Sequence, residues 1–245
     1  MREHILFGKE IEELLLADLV LTFAFSLVIV GGIGDISQLL NVFIYFIPIS
    51  FVAVSLSFIL HELMHKFVAQ KYGAIAAFKT SQYGLAITLI TSLFGFLIGI
   101  PGATIIYTNN FTKREDGHVS IAGPLTNFLI FLVFFAAGML LYKNFIANVT
   151  TTLSISMYMH NSYLHNMINL TLFISILLAF FNMLPIYPLD GSKVLRWNKG
   201  IYAAMLITIF ALFALVIPLV SLIIGLAFML VFAYIFSMLY RNVLF

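Results

Sequence analysis

The feature that most restricts the fold of this chain is an uncharged apolar run at positions 42–60, which ends directly in His61-Glu62-Leu63-Met64-His65. A helix over this run rises about 28 Å, which is long enough to cross the hydrocarbon core of a bilayer. Residues four apart share one helix face, so His61 and His65 can present their imidazoles to one metal ion. Glu62 lies beside that pair, where a general base for an attacking water belongs. The pattern predicts a catalytic zinc site with Glu62 as the base.

The alternative interpretation of this motif is a solvated helix end that carries two polar residues and a carboxylate. Ionisable groups that directly follow a long apolar run lie at membrane depth, where they are costly and indicate function by default. The chain contains no cysteine, so a disulfide framework and a thiolate metal site are both excluded. Imidazole and carboxylate groups remain as the candidate metal ligands.

The composition, 62% hydrophobic and 9% charged residues, is typical of a multi-pass membrane protein. The net charge of +2 is too small to favour nucleic acid as a partner. The N-terminus lacks the features of a cleaved signal peptide, and no stretch is long and polar enough for an appended soluble domain. We therefore expect one membrane domain over 1–245 with its core at about 41–197. Apolar runs long enough to span lie at 14–32, 41–65, 119–142, 165–186, 201–219 and 220–240.

A further apolar segment, 84–100, decides the predicted topology. If it does not cross, only Lys143 of the 12 Lys and Arg residues falls on the outer side, which is a strong positive-inside asymmetry. A single crossing of this segment would divide the basic residues evenly between the two sides. We therefore predict that 84–100 re-enters or forms a hairpin with 103–108, and that both termini and the active-site opening face the cytosol. The predicted fold class is an all-α integral protein of the cell membrane, with about six transmembrane helices and a re-entrant or membrane-embedded β segment between spans 2 and 3.

The segment from Ala103 to Thr108 is rich in β-branched residues and follows Pro-Gly, so it predicts a short strand. Such a strand near a protease cleft can serve as an edge on which an extended substrate pairs, and we assign Ile105 to that role. The alternative is an apolar patch in a solvated cytosolic loop. Asn127, near the start of the third span, is expected to point inward in a structural role, and we include it among the candidate substrate-binding residues.

Two histidines leave a catalytic zinc site one protein ligand short. Asp190 is the favoured third ligand, because it follows Pro185 and Pro188, which must interrupt the fourth span and free backbone groups beside a cavity. The other carboxylates lie at the N-terminus, at the start of the first span, in an outside loop, or in a charged turn at Glu115-Asp116. The alternative for Asp190 is that it caps a short basic helix over 191–199.

Three motifs together resemble the site-2 protease family of intramembrane zinc metalloproteases. They are His61-Glu62-Leu63-Met64-His65, Gly123-Pro124-Leu125-Thr126-Asn127, and Asn182-x-x-Pro185-x-x-Pro188-Leu189-Asp190-Gly191. The resemblance implies one zinc ion on His61, His65 and Asp190, with Glu62 as general base. It also implies that Asn182 and Pro185 help to hold substrate, and that the region between spans 2 and 3 is a membrane-embedded sheet.

The resemblance covers about residues 41–197 and departs from the family at Ser192, where many members have a second glycine. We expect this change to alter helix packing without touching a ligand. Because no regulatory PDZ or CBS domain is evident, the chain is similar to the minimal members with six spans. The resemblance implies that the partners are transmembrane protein substrates and the lipid bilayer, with cleavage inside the substrate's membrane helix.

Other functions remain open from the sequence. A divalent-cation transporter would use the same three ligands, but it leaves Glu62 without a role and shows no repeat of either motif. A non-catalytic relative that binds membrane proteins would be expected to lose Glu62 or a ligand. A different zinc protease would take a glutamate from a later helix, yet no Glu follows Asp116.

Overall fold

The computed structural model describes residues 2–34, 36–107, 111–145 and 162–216, and most of these residues are helical. The sequence forms two short strands between the third and fifth helices, and a π-helical turn over Ser55–Ile59 joins the second helix to the third. The elements in chain order are α1 (Arg2–Ile29), α2 (Ile36–Val54), α3 (Leu60–Lys71), β1 (Ile75–Thr80), α4 (Gln82–Leu93), β2 (Gly102–Tyr107), α5 (Lys113–Leu141), α6 (Tyr163–Asn182), α7 (Asp190–Trp197) and α8 (Lys199–Val216).

Three helical segments in the described ranges are long and apolar enough to cross a membrane: Leu40–Lys71, Lys113–Leu141 and Tyr163–Asn182. They correspond to the predicted spans at 41–65, 119–142 and 165–186. The predicted span at 14–32 falls largely on α1, which is not among the three, and the one at 201–219 falls on a shorter apolar helix. The predicted span at 220–240 lies outside the described residues. A membrane protein is therefore supported, and the number of six spans stays a prediction.

The predicted strand at 103–108 is confirmed as β2, and its partner is the antiparallel strand β1, which the sequence did not reveal. Segment 84–100 does not join this pairing, so the predicted hairpin with 103–108 is wrong. Segment 84–100 forms most of α4 and then an irregular return segment, 94–100, whose end lies beside the start of α4. The Ser81 N–H donates to the carbonyl of Pro101 at 3.0 Å. The chain thus leaves and comes back at one end, as the re-entrant form requires.

The return segment is held against α4 by hydroxyl groups, because an irregular backbone in an apolar setting needs partners. The Thr88 hydroxyl donates to the carbonyl of Ile98 at 3.0 Å and accepts the N–H of Ile100 at 3.2 Å. Gly84 allows this approach, since a Cβ there would collide with the Ile100 carbonyl. Local hydroxyls therefore replace part of the backbone pairing that the return segment lacks.

The outer edge of β1 is closed by α1. Glu10 accepts the N–H of Phe78 at 3.1 Å, and Glu13 accepts the N–H of Thr80 at 2.7 Å. Glu10 also forms an ion pair with Lys66 of α3, and both side chains are buried. Carboxylates on an edge strand prevent a further strand from adding there. The outer edge of β2, called the free edge below, lies toward α3 and is contacted at Thr104 by the carboxylate of Glu62.

The start of α5 is fixed by a capping box, in which Thr112 and Glu115 exchange hydrogen bonds. The predicted charged turn at Glu115-Asp116 is therefore wrong, because both residues belong to the first helical turn. Asp116 also lies 3.9 Å from Lys193 and 3.8 Å from Arg196 of α7. The surface pairs add little stability but link the start of α5 to the helix that begins at Asp190.

Candidate functional site

The side chains of His61, His65 and Asp190 converge, with one ligand atom from each lying within 4.8 Å of the others. The two Nε2 atoms are 3.0 Å apart, and Asp190 Oδ2 lies 3.1 Å from His65 Nε2 and 3.7 Å from His61 Nε2. Ligands of a tetrahedral zinc ion are separated by roughly 3.3 Å for bonds of about 2.0 Å. Both imidazoles are buried and the carboxylate is largely covered. The donor set and its spacing fit a single zinc ion.

Both imidazoles are oriented through their second ring nitrogen. His65 Nδ1 donates to the carbonyl of Val119 at 2.8 Å. His61 Nδ1 lies 3.1 Å from the side-chain amide of Asn127, which is fully buried. Partners on Nδ1 hold the ring and leave the Nε2 lone pair for a metal. Both orienting groups come from α5, so this helix sets the direction of ligands that belong to α3.

Gly123 lets α5 pass this close to the imidazoles. A Cβ at this position would lie 2.5 Å from His61 Nε2 and would also collide with His65 Nε2. Real Cβ atoms do not tolerate such a distance, so any side chain here must displace the two rings. Val119 and Gly123 were not identified as site residues from the sequence. The available signal was the motif that begins at Gly123, which contributed to the family resemblance but did not reveal the contact with the imidazoles.

Asp190 reaches the site because the chain breaks after α6 and restarts at α7. The break contains Pro185 and Pro188, as the sequence predicted, and α7 begins at Asp190 itself. The N-cap position belongs to Leu189, with no side-chain capping bond, so the capping alternative for Asp190 is not what the structure shows. Gly191 permits the tight turn, since a Cβ there would meet the backbone of Met183. The carboxylate is thereby directed at the imidazoles.

The charge on Asp190 is set by these neighbours. Without a metal, burial raises the pKa of its carboxyl, but the charge of a protonated His65 and hydrogen bonds from both imidazoles lower it by more. The resulting pKa lies well below the ordinary range. Asp190 is therefore a carboxylate, the form in which it can bind a cation.

Glu62 points toward the free edge of the sheet and is held there by Thr104. The N–H of Thr104 donates to Glu62 Oε2 at 2.9 Å, and its hydroxyl donates to the same oxygen at 2.8 Å. The hydroxyl also lies 3.2 Å from the Glu62 carbonyl. Both bonds to the carboxylate use Oε2, which leaves Oε1 available for a reacting group. Thr104 was not identified from the sequence, because it lies far along the chain from Glu62.

The structure separates the four predicted substrate-binding residues. Asn127 lies against His61, and the Asn182 amide donates to the Leu178 carbonyl of its own helix at 3.0 Å. Pro185 is exposed in the break between α6 and α7. Ile105 is paired with Ala77 across the sheet. None of these contacts tests substrate binding, which stays a prediction for all four residues.

The backbone of Ile105 faces β1 rather than the free edge. Phe78 and Thr104 are direct partners, yet their N–H groups go to Glu10 and Glu62, so this pair makes no bond within the sheet. Antiparallel pairs alternate, and the neighbouring pair of Ile105 with Ala77 is therefore the hydrogen-bonded kind. The outward backbone groups of β2 therefore belong to Thr104 and the residues two positions away, while the assignment of Ile105 to substrate binding stays a prediction.

Comparison with known proteins gives a consistent result. The model of the family described as Peptidase family M50 matches residues 49–226, which include His61, Glu62, His65 and Asp190. "Putative zinc metalloprotease MJ0611" of Methanocaldococcus jannaschii is 42% identical over 156 residues, covering 63% of this chain and 73% of that protein. No solved structure matches the chain.

Two further relatives carry similar names. "Zinc metalloprotease MJ0392" of Methanocaldococcus jannaschii is 26% identical over 179 residues, which are 73% of this chain but only 41% of that longer protein. "Putative zinc metalloprotease YwhC" of Bacillus subtilis is 29% identical over 169 residues, covering 61% of this chain and 68% of that protein.

Proposed function

Because the chain belongs to peptidase family M50, we propose that it is an intramembrane zinc metalloprotease of the site-2 type. It hydrolyses peptide bonds within or near the transmembrane helices of other membrane proteins. The observation that carries this proposal is the convergence of His61, His65 and Asp190 on one point, with Glu62 next to them on the same helix. The long apolar helices around that point support a site inside the membrane.

In this proposal His61, His65 and Asp190 would hold one zinc ion, which would supply Lewis acidity toward the scissile carbonyl and the attacking water. With Nε2 as the ligand atom, His61 carries its proton on Nδ1, which lies 3.1 Å from Asn127 Nδ2. The amide of Asn127 must therefore be turned over when zinc is bound, so that its oxygen, which has no partner in the structure, accepts this proton. Glu62 takes the proton of the water through Oε1 and passes it to the leaving amine. Thr104 keeps the carboxylate in position by occupying Oε2.

The substrate must be unwound before it can react, because a helix hides its peptide bonds in internal hydrogen bonds. An extended segment that adds to the free edge of β2 would recover part of that bonding from the outward backbone groups of Gly102 and Ile106, since Glu62 already accepts the Thr104 N–H. Carboxylates of α1 close the opposite edge of the sheet, which favours β2 as the pairing edge. We propose that Asn182 and Pro185 contact the same segment from the break after α6. We also propose that water and products exchange on the cytosolic side of the cell membrane, because the positive-inside asymmetry assigns most basic residues to that side.

The test uses the purified chain in detergent with a panel of single-span substrates. Wild type and the variants Glu62→Gln and Asp190→Asn are compared by intact mass and by zinc content. We expect cleavage within the span by wild type alone, with zinc retained in Glu62→Gln and reduced in Asp190→Asn. Glu12→Gln is the matched control, because Glu12 is exposed on α1. Equal turnover by Glu62→Gln would remove Glu62 from the mechanism, and unchanged zinc in Asp190→Asn would remove Asp190 as a ligand.

A further inference from the structure

Asp18 is a buried carboxylate that the proposed hydrolysis does not use. It is the one charged residue between Leu14 and Ile29 of α1, and its exposed fraction is 0%. α1 packs on α2, whose C-terminal part belongs to the candidate span Leu40–Lys71. A carboxylate at such a position is costly and indicates a functional site with a specific partner.

The partners of Asp18 within the protein satisfy only half of its carboxylate. The hydroxyl of Ser55 donates to Oδ2 at 2.8 Å, whereas Oδ1 is buried and has no hydrogen-bond partner. Two further buried hydroxyls, on Thr22 and Ser50, also have no partner. Buried oxygen atoms are almost always bonded, to protein, water or an ion. Thr22 lies one helical turn from Asp18, so the unpartnered oxygens of these two residues together point to a ligand.

The helix register places the oxygens of Asp18 and Thr22 next to each other. Thr22 lies one turn beyond Asp18 on the same face of α1. Ser55, the first residue of the π-helical turn, reaches this face from the neighbouring helix, since its hydroxyl contacts Asp18 Oδ2 at 2.8 Å. Ser50 is not part of this group, because it lies five residues before Ser55 and therefore about 140° around the α-helix.

The π-helical turn supplies a second, independent indication. It begins at Ser55, the residue that donates to Asp18, and extends to Ile59. A π-turn inserts one residue into the regular bonding ladder and leaves a backbone carbonyl outside it, and such turns occur frequently at functional sites. In membrane transporters, backbone carbonyls freed where a helix is interrupted coordinate Na⁺. Ser55 precedes His61 by about 9 Å along the helix axis, so this region is distinct from the proposed zinc site.

We propose that Asp18, Ser55 and Thr22 form a binding site for one monovalent alkali cation, of which Na⁺ is the probe. The donors are all oxygen atoms, the set that hard cations prefer. The site contains a single carboxylate, so one monovalent ion makes it neutral. A divalent ion would leave an uncompensated positive charge in the apolar interior, which is unfavourable. Bound cation joins α1 to the π-turn that precedes the His61–His65 helix.

The experiment measures cation binding to the purified full chain in detergent, independently of any proteolysis. Thermal unfolding is followed while NaCl or KCl replaces choline chloride at constant ionic strength, and the apparent affinity is checked by calorimetry. We expect a saturable rise in melting temperature for wild type. In Asp18→Asn and Thr22→Val the apparent affinity should fall by about tenfold or more, because a charge or a ligand oxygen is lost. MgCl₂ should produce no saturable rise.

The matched control is Ser26→Ala. Ser26 is also buried on α1, but its hydroxyl already donates to the Thr22 carbonyl of its own helix at 2.8 Å. Its cation response should equal that of wild type. A wild-type chain without a saturable response would overturn the proposal and assign the unpartnered oxygens to water or to a protonated Asp18. An unchanged affinity in Thr22→Val would also overturn it, even where Asp18→Asn does not fold.

Discussion

Replacing Thr104 by valine tests how the proposed general base is held. Valine has nearly the same shape as threonine but lacks the hydroxyl that donates to Glu62 Oε2 at 2.8 Å. The backbone N–H of residue 104, which donates to the same oxygen at 2.9 Å, is unchanged by the substitution. The change therefore removes one of two restraints on the carboxylate and leaves the strand pairing intact.

The expected loss follows from the charge of the acceptor. A hydrogen bond to a charged group contributes about 1.5–3 kcal/mol. Since each 1.4 kcal/mol is a factor of ten, the rate of the chemical step should fall by roughly 10- to 150-fold. The remaining N–H still restrains Glu62, so we expect a value near the lower end. The Michaelis constant and the zinc content should stay the same, because neither substrate pairing nor a ligand is altered.

The assay is single-turnover cleavage of a fluorescent single-span substrate, together with zinc analysis of each variant. Thr104→Ser restores the hydroxyl and should recover most of the activity. Thr80→Val is the matched control, because Thr80 lies on β1 and its contacts are with Glu13. Turnover of Thr104→Val within twofold of wild type would refute the positioning role of the hydroxyl. If Thr104→Val loses zinc as well as activity, Thr104 is needed to maintain the metal site rather than to position Glu62.

Other substitutions and metal removal give further predictions. Gly123→Ala should weaken zinc retention by about tenfold or more, because its methyl group would lie 2.5 Å from His61 Nε2 and such overpacking costs about 1–3 kcal/mol. Equal zinc content of variant and wild type by mass spectrometry would contradict this. Glu10→Gln should destabilise the protein by about 3–5 kcal/mol, since Lys66 loses its buried carboxylate, whereas exposed Glu12→Gln should unfold at the wild-type temperature. A chelator should abolish cleavage and zinc, but not Mg²⁺, should restore it; activity that survives complete zinc removal would exclude metal catalysis.

Features that depend on neighbouring residues in the chain could be predicted. The spacing of His61 and His65 places them on one helix face, and the two nitrogens are indeed 3.0 Å apart. Pro185 and Pro188 predicted a break before Asp190, and the helix does restart there. β-Branched residues after Pro-Gly predicted the strand that became β2. Each of these follows from helix period, proline geometry or strand propensity.

The charge asymmetry was also informative about 84–100. It argued against a single crossing, and the segment does return to its starting end through the Ser81–Pro101 bond. It could not identify the partner of β2, because β1 shows no clear alternation and lies before α4. Apolar runs in the sequence also do not establish the number of spans. They predicted six, and three candidate spans are found in the described part of the chain.

The sequence by itself determined the metal-binding residue types, their spacing on α3 and the apolar character of the surrounding helices. Only the tertiary structure decided what surrounds them. Gly123 and Val119 matter because α5 crosses α3 at the imidazoles, and Thr104 matters because β2 passes Glu62. Helix crossing and strand register depend on packing between segments distant in the chain, and that packing leaves no periodic signal in the residues themselves.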